Sequence, residues 1–221
     1  MQEVTRLKKL ENFIKQYGQY YPKEAIDFIL ANFNDKCDAD IVLQIRSKLD
    51  LIAEEDDLYD GFLKILAQYD LNKGDILEIA SGFYPILAEK LAKQPNIRSV
   101  TAVDPRVIPS PLKQVQTEKR LFKLSDNTKK YTCFVALKPC EATTSIIKNA
   151  YSFHKPFTIG LCGCTHFTYI NQLLPISYGD WEKHVEGVIK DNLEDYANIY
   201  IDYLDGRYNY PYKIFTKTYK N

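Results

Sequence analysis

The sequence predicts an α/β fold, a parallel sheet with helices on both faces, standing behind an all-helical N-terminal cap. Three observations predict it. Apolar strand-like runs and helical patterns alternate from Gly74 onward, and such alternation makes a parallel sheet. Residues 1–70 show helical spacing only. Two last strand-like runs flank Asp205-Gly206, a hairpin-turn pair. The expected domains are the cap, residues 1–70, and the α/β domain, residues 71–221.

In the cap, Val4, Leu7, Leu10, Phe13 and Ile14 share one helical face. Pro22 suits a helix start, and Ala25, Ile26, Ile29, Leu30 and Phe33 form the next stripe. Asp38 can cap a third helix bearing Ile41, Val42, Ile45 and Leu49. The acids from Glu54 to Asp57 favour the start of a fourth, with Leu58, Phe62, Ile65 and Leu66 buried. Beyond it, strands are expected at Ile76–Ala80, Ser99–Asp104, Arg120–Leu124, Thr132–Leu137 and Phe157–Cys162. The connection before the third is short, Pro-rich and irregular. Helices are expected at Pro85–Lys93, Ala142–Phe153 and Trp181–Tyr196, and Ile199–Leu204 with Tyr212–Thr218 makes the closing hairpin.

Bulk properties narrow the class. A chain of 221 residues, 45% hydrophobic and 26% charged, buries a real core and is not disordered. No apolar run is long enough to cross a bilayer, and Met1 to Lys9 is polar, so a cytoplasmic protein with no membrane partner is expected. The five cysteines, Cys37, Cys133, Cys140, Cys162 and Cys164, are odd in number and expected to be reduced. Cys162 and Cys164 flank a single glycine, poor spacing for zinc, and no metal is expected. Net charge is zero, but unevenly spread. Residues 1–70 carry nine Lys/Arg and fourteen Asp/Glu, and residues 71–221 carry twenty and fifteen. The acidic first part excludes a simple basic arm, while the remainder permits an anionic substrate.

The stretch from Gly74 to Asp104 reads GDILEIASGFYPILAEKLAKQPNIRSVTAVD. An apolar run ends in an acid, Glu78; a small-residue turn follows, Ala80-Ser81-Gly82; a helix opens at Pro85; a second strand ends at Asp104. Such a unit holds a nucleotide-like cofactor, the turn offering backbone N–H groups and the second acid bonding a ribose diol. A parallel crossover without a cofactor uses the same kind of turn. A dinucleotide needs Gly-x-Gly-x-x-Gly against a helix N-terminus, and here only Gly82 is glycine. Glu78 repels a phosphate and welcomes a cation. The segment resembles motif I of the class I S-adenosylmethionine-dependent methyltransferases. The resemblance implies a Rossmann-like, seven-stranded methyltransferase sheet and S-adenosylmethionine as cofactor. It places Glu78, Ala80, Ser81 and Gly82 at the methionine end, Asp104 on the ribose and Asp126 near the adenine amino group. The sequence departs from the family pattern at Ala80 and Tyr84, where glycine is usual. The Tyr84 ring must turn away from the methionine moiety or narrow the pocket.

Tyr131 to Thr144 reads YTCFVALKPCEATT, a strand ending at Leu137 and a turn, Lys138-Pro139-Cys140-Glu141, before a helix. In the family the fourth strand lies beside the first, so Leu137, Lys138 and Pro139 would line the methyl path. ALKPCEAT, with KPFTIGLCGC on the next strand, is similar to a poorly characterised branch of methyltransferase-like proteins. That branch carries a His-Pro-Cys or His-Ala-Cys turn, and Lys138 replaces its histidine. Three readings stand side by side. Pro139 and Glu141 simply start a helix. Glu141, Lys138 or the backbone orients a substrate. Or Cys140 is a nucleophile, as where carbon 5 of a pyrimidine is methylated after covalent addition, its thiolate favoured by Lys138 and a helix N-terminus. The companion motifs of those enzymes are absent, as is the Asn-Pro-Pro-aromatic turn of amine methylation. His166, after the fifth strand, is the general-base candidate by position; Tyr169 and Tyr178 near it wall a pocket or pack.

The implied reaction is methyl transfer to an acceptor that is a small molecule or an RNA, ribosomal RNA included. The competing reading is a non-catalytic binding or regulatory protein on a degenerate methyltransferase scaffold, which Tyr84 and Lys138 favour. Arg207, Lys213, Lys217 and Lys220, set among tyrosines, suit nucleic acid and equally suit protection of a sheet edge.

Overall fold

In a computed structural model of the protein, residues 56–82, 84–139, 142–161, 178–192, 198–204 and 211–219 are described. The chain divides into two units, Met1–Glu55 and Asp56–Asn221, and every described residue lies in the second. The first three helices of the expected cap and the Asp205-Gly206 turn fall outside the described residues.

The elements are α1 (Asp56–Gln68), β1 (Gly74–Ile79), α2 (Ile86–Ala92), β2 (Ile97–Val103), β3 (Val115–Glu118), β4 (Cys133–Leu137), α3 (Thr143–Ser152), β5 (Phe157–Gly160), α4 (Tyr178–Asp191), β6 (Ile199–Leu204) and β7 (Tyr212–Lys217). The strands form one seven-stranded sheet in the order β3-β2-β1-β4-β5-β7-β6. The first five are parallel. β7 runs antiparallel to both of its neighbours, β5 and β6.

Strands buried on both faces read as continuous apolar runs, and β4 does so; β5 is equally buried, its Thr158 hydroxyl lying 3.3 Å from that of Thr216 on β7. Their side chains alternate between two cores. Leu77, Ile79, Phe134, Phe157 and Ile159 pack against Ile146 and Ile147 of α3 and Trp181, Val185 and Ile189 of α4. On the other face Ile76, Val135 and Ile214 meet Phe62 and Leu66 of α1 and Leu87 and Leu91 of α2. Gly160 lets two strands close over β5. A Cβ there would lie 2.7 Å from Leu137 Cδ1 and 2.8 Å from Ile214 Cδ1.

The third strand is Val115–Glu118, not Arg120–Leu124. Only Val115 of β3 is buried, so a four-residue edge strand leaves almost no apolar pattern to read. Leu121 and Leu124, which suggested a strand, stand exposed at 65% and 49%. They belong to the connection 119–132, which carries turns and no helix. Asn149 of α3, fully buried, fastens that connection. Its Nδ2 donates to the carbonyls of Leu124 (2.8 Å) and Asp126 (2.9 Å), and its Oδ1 accepts from Thr128 Oγ1 (2.7 Å). The other elements stand where the pattern placed them, with ends shifted by a few residues.

Asn149→Ala strips partners from two carbonyls and a hydroxyl. Each buried polar group left unsatisfied costs about 1–3 kcal/mol, so a total near ~3 kcal/mol is expected after partial rehydration. Urea denaturation should show a lower midpoint with an unchanged slope.

Candidate functional site

From β1 the chain winds outward through β2 to β3, then returns to lay β4 on the other side of β1. The connections leaving the carboxyl ends of β1 and β4 therefore part company. The crevice between them is where open α/β sheets take ligands. Ile79 and Ala80 stand on one side of it, Leu137 and Lys138 on the other, with Asp104 just past the end of β2.

The turn after β1 is bent by left-handed backbone at Ala80 (φ 60°) and Gly82 (φ 75°). Glycine tolerates this freely, whereas alanine carries a cost of roughly 1–2 kcal/mol. The turn is tied to β2. Ala80 N–H donates to the Val103 carbonyl at 2.8 Å and Ser81 N–H to the same oxygen at 3.4 Å. Gly82 N–H donates to Asp104 Oδ2 at 3.1 Å. Asp104 is 4% exposed, and its Oδ1 accepts from the Arg106 backbone N–H (2.8 Å) and Nε (3.3 Å). A Cβ on Gly82 would meet nothing within 4 Å, so space lies open over the turn at Gly82. Tyr84 is half-buried, with its hydroxyl enclosed by protein.

Glu78 is 3% exposed. Its Oε2 accepts from the backbone N–H of Ala88 at 3.0 Å, one of the donors that the first turn of a helix leaves without an internal partner. Burial foremost, with the charges of Glu89 and Asp104, pushes its pKa up to about 8 against the lowering effect of the Ala88 bond. A cation brought near would draw it back down. Sequence reading gave Glu78 a part in ligand binding; its present geometry joins β1 to α2.

At the end of β4, Lys138 also has left-handed backbone (φ 60°). Its N–H donates to the Gly160 carbonyl at 2.8 Å. Its Nζ lies 5.1 Å from the centre of the Tyr212 ring, across the end of β5. Leu137 is half-buried and Pro139 buried. Cys140, Glu141, His166 and Tyr169 fall outside the described residues. Asp126 Oδ2 accepts from Arg120 Nη1 at 2.5 Å and Lys123 N–H at 3.1 Å, which engages the carboxylate with its own loop. The structure thus gathers Glu78, Ala80, Ser81, Gly82 and Asp104 around the ends of β1 and β2. Three contributors escaped sequence reading: Ala88, Arg106 and Tyr212. Only Arg106 left a signal, a cation two residues after the expected ribose acid.

Among the described residues no group of His, Cys, Asp and Glu is placed to hold a metal. A cavity of about 280 Å³ lies at the amino ends of β1, β4 and β5, lined among others by Tyr69, Lys73, Thr132, Cys133, His154 and Tyr219. Burial pushes the Cys133 thiol far above its ordinary pKa.

The order β3-β2-β1-β4-β5-β7-β6, with β7 antiparallel between β5 and β6, decides the fold. It is the fold of the class I S-adenosylmethionine-dependent methyltransferases. No protein-family model and no curated protein matches the sequence. Among solved structures, the chain is similar to the methyltransferase domain of bacterial CtHen1 (12% identity, TM-score 0.49, 74% of this chain and 98% of that one). It is similar to MtNAS in complex with MTA and tNA (12%, TM-score 0.48, 88% and 67%). It is also similar to an S-adenosylmethionine-dependent methyltransferase of Methanosarcina mazei (13%, TM-score 0.46, 71% and 98%). At such identities no residue role transfers from them to this chain.

Ala80→Gly is expected to be neutral or to stabilise by up to about 1 kcal/mol, read by thermal denaturation, because glycine accepts the left-handed turn freely. Glu78 carries a pH signature. Its folded pKa of about 8 exceeds the ordinary 4.5, so between those values the folded state holds the extra proton. That contribution is complete below the ordinary value and is lost as pH rises through the folded one. Stability should therefore fall between about pH 5 and pH 9, and Glu78→Gln should flatten that slope.

Proposed function

We propose that the protein transfers a methyl group from S-adenosylmethionine to an acceptor that is an RNA or a small molecule. The observation that carries this reading is the buried Asp104 carboxylate at the tip of β2, bonded to the N–H of Gly82, a residue of the β1 turn that itself borders open space. A carboxylate oxygen can accept twice, so Oδ2, holding one N–H, can take a ribose hydroxyl as well.

S-adenosylmethionine supplies a methyl group on a sulfonium, open to in-line displacement. The chain's own residues position it. Asp104 holds the ribose. Ala80, Ser81 and Gly82 form the wall at the methionine end, with Glu78 behind them and Tyr84 bounding the pocket. Asp126 stands toward the adenine. Leu137, Lys138 and Pro139 line the approach of the acceptor, and the ring of Tyr212 draws the Lys138 ammonium toward β7, away from β1. Holding donor and acceptor in line supplies most of the acceleration. A base is needed only for a weakly nucleophilic acceptor, and Cys140, Glu141 and His166 are the candidates on that side.

A second reading, a non-catalytic binding or regulatory protein on the same scaffold, draws on one observation. The N–H groups of Ala80, Ser81 and Gly82 already donate within the protein, and Arg106 already occupies Asp104 Oδ1. Calorimetric titration with S-adenosylhomocysteine separates the two. Binding by the wild type, weakened about tenfold or more in Asp104→Ala, about 1.4 kcal/mol, supports the enzyme. A folded wild type that binds nothing overturns it in favour of the scaffold.

A further inference from the structure

The connection between β3 and β4 has no part in the proposed reaction beyond carrying Asp126, yet its backbone is firmly held. Asn149 holds the carbonyls of Leu124 and Asp126 from beneath. The Asp126 carboxylate gathers in Arg120 and the N–H of Lys123. Phe122 packs inward against the core. On this fixed base Leu121 and Leu124 face water, exposed at 65% and 49%. Ordering a loop costs backbone entropy, and a loop ordered so as to hold two leucines in water gains nothing from them within the molecule. An exposed apolar patch rimmed by polar residues marks an interaction site.

The rim is cationic. Lys119, Arg120, Lys123, Lys129 and Lys130 are all exposed. The acids of the same stretch, Glu118 and Asp126, are both paired with Arg120. The surface therefore offers two aliphatic side chains on a stretch whose four exposed lysines outnumber its two acids. We propose that this connection is a docking surface for an anionic lipid bilayer, with Leu121 and Leu124 entering the boundary between headgroups and acyl chains and the cations resting among the lipid phosphates. Surface-bound proteins combine these two contributions, apolar insertion and attraction to anionic headgroups. Nucleic acid matches the cations but not the leucines. Single-stranded bases stack on aromatic rings, and the aromatic residues of this connection, Phe122 and Tyr131, are turned into the core. The expectation of no membrane partner rested on the lack of a spanning run. No described helix is long and apolar enough to cross a membrane, which leaves a surface anchor open.

The test is co-sedimentation of the full chain with vesicles of phosphatidylcholine alone and of phosphatidylcholine mixed with phosphatidylglycerol, at low and at physiological salt. Wild type should sediment with the mixed vesicles and not with the neutral ones. Replacing both leucines, Leu121→Ser with Leu124→Ser, should cut partitioning by about tenfold or more, and so should Lys123→Glu with Lys129→Glu. Neither pair should move the thermal midpoint, since these side chains are exposed. Absence of sedimentation with the mixed vesicles would overturn the proposal. So would sedimentation that depends on the lysines and ignores the leucines, and tight binding of a single-stranded RNA by that leucine variant would then assign the surface to nucleic acid.

Discussion

The sheet reverses its winding direction at β1, and the rest of the structure follows from that constraint. Strands laid outward to one side of β1 and then to the other place their helices on opposite faces. α2 accordingly lies with α1 on one face, while α3 and α4 cover the other. The same reversal opens the only kind of crevice an otherwise continuous parallel sheet can have. The turn and the carboxylate meet there because they follow β1 and β2, whereas Lys138, which follows β4, holds its ammonium over the Tyr212 ring. The candidate site therefore lies along one edge, formed by the carboxyl ends of the parallel strands.

That edge concentrates acids where water is scarce. Glu78, Glu89 and Asp104 are all buried near the ends of β1 and β2. A buried carboxyl survives by finding donors, and each of these does so. Glu78 takes the N–H of Ala88, Glu89 the hydroxyl of Ser110, and Asp104 the N–H groups of Gly82 and Arg106. The donors come from α2, from the β2–β3 connection and from the turn after β1. The acids thus act as pegs between backbone segments that apolar packing alone would leave free to slide. Burial above all, with the charges of Glu89 and Asp104, holds a proton on Glu78, and a positive ligand arriving nearby would compete with that proton.

Much of this was legible in the residue pattern. β4, buried on both faces, announces itself as an apolar run, and the amphipathic stripe Leu58, Phe62, Ile65 and Leu66 of α1 is buried as its period requires. The turn after β1 and the position of Asp104 were legible because strand-turn-helix chemistry is local. β3 was not. With a single buried residue it yields no periodicity, and the apolar residues that mimicked a strand are the two that leave the core altogether. The partners of Glu78 and Lys138 were equally silent. Ala88 offers a backbone N–H, which no residue type advertises, and Tyr212 reaches Lys138 only because β7 returns antiparallel beside β5. Contacts made by backbone groups, or created by the order in which strands assemble, leave no trace in a one-dimensional pattern.

The placement of β7 carries a consequence for how the molecule is made. β5 is the inner neighbour of a strand that emerges from synthesis more than fifty residues later in the chain, with α4 and β6 translated in between. Until residues 212–217 appear, β5 presents an unpaired edge bearing Phe157 and Ile159, and β6 has no partner on the sheet at all. An open apolar edge recruits other chains. The first five strands can pair as they are synthesised, whereas β6 and β7 join the far side of the sheet in one late step. Any nascent chain halted between Gly160 and Tyr212 is therefore an aggregation hazard that the finished protein is not.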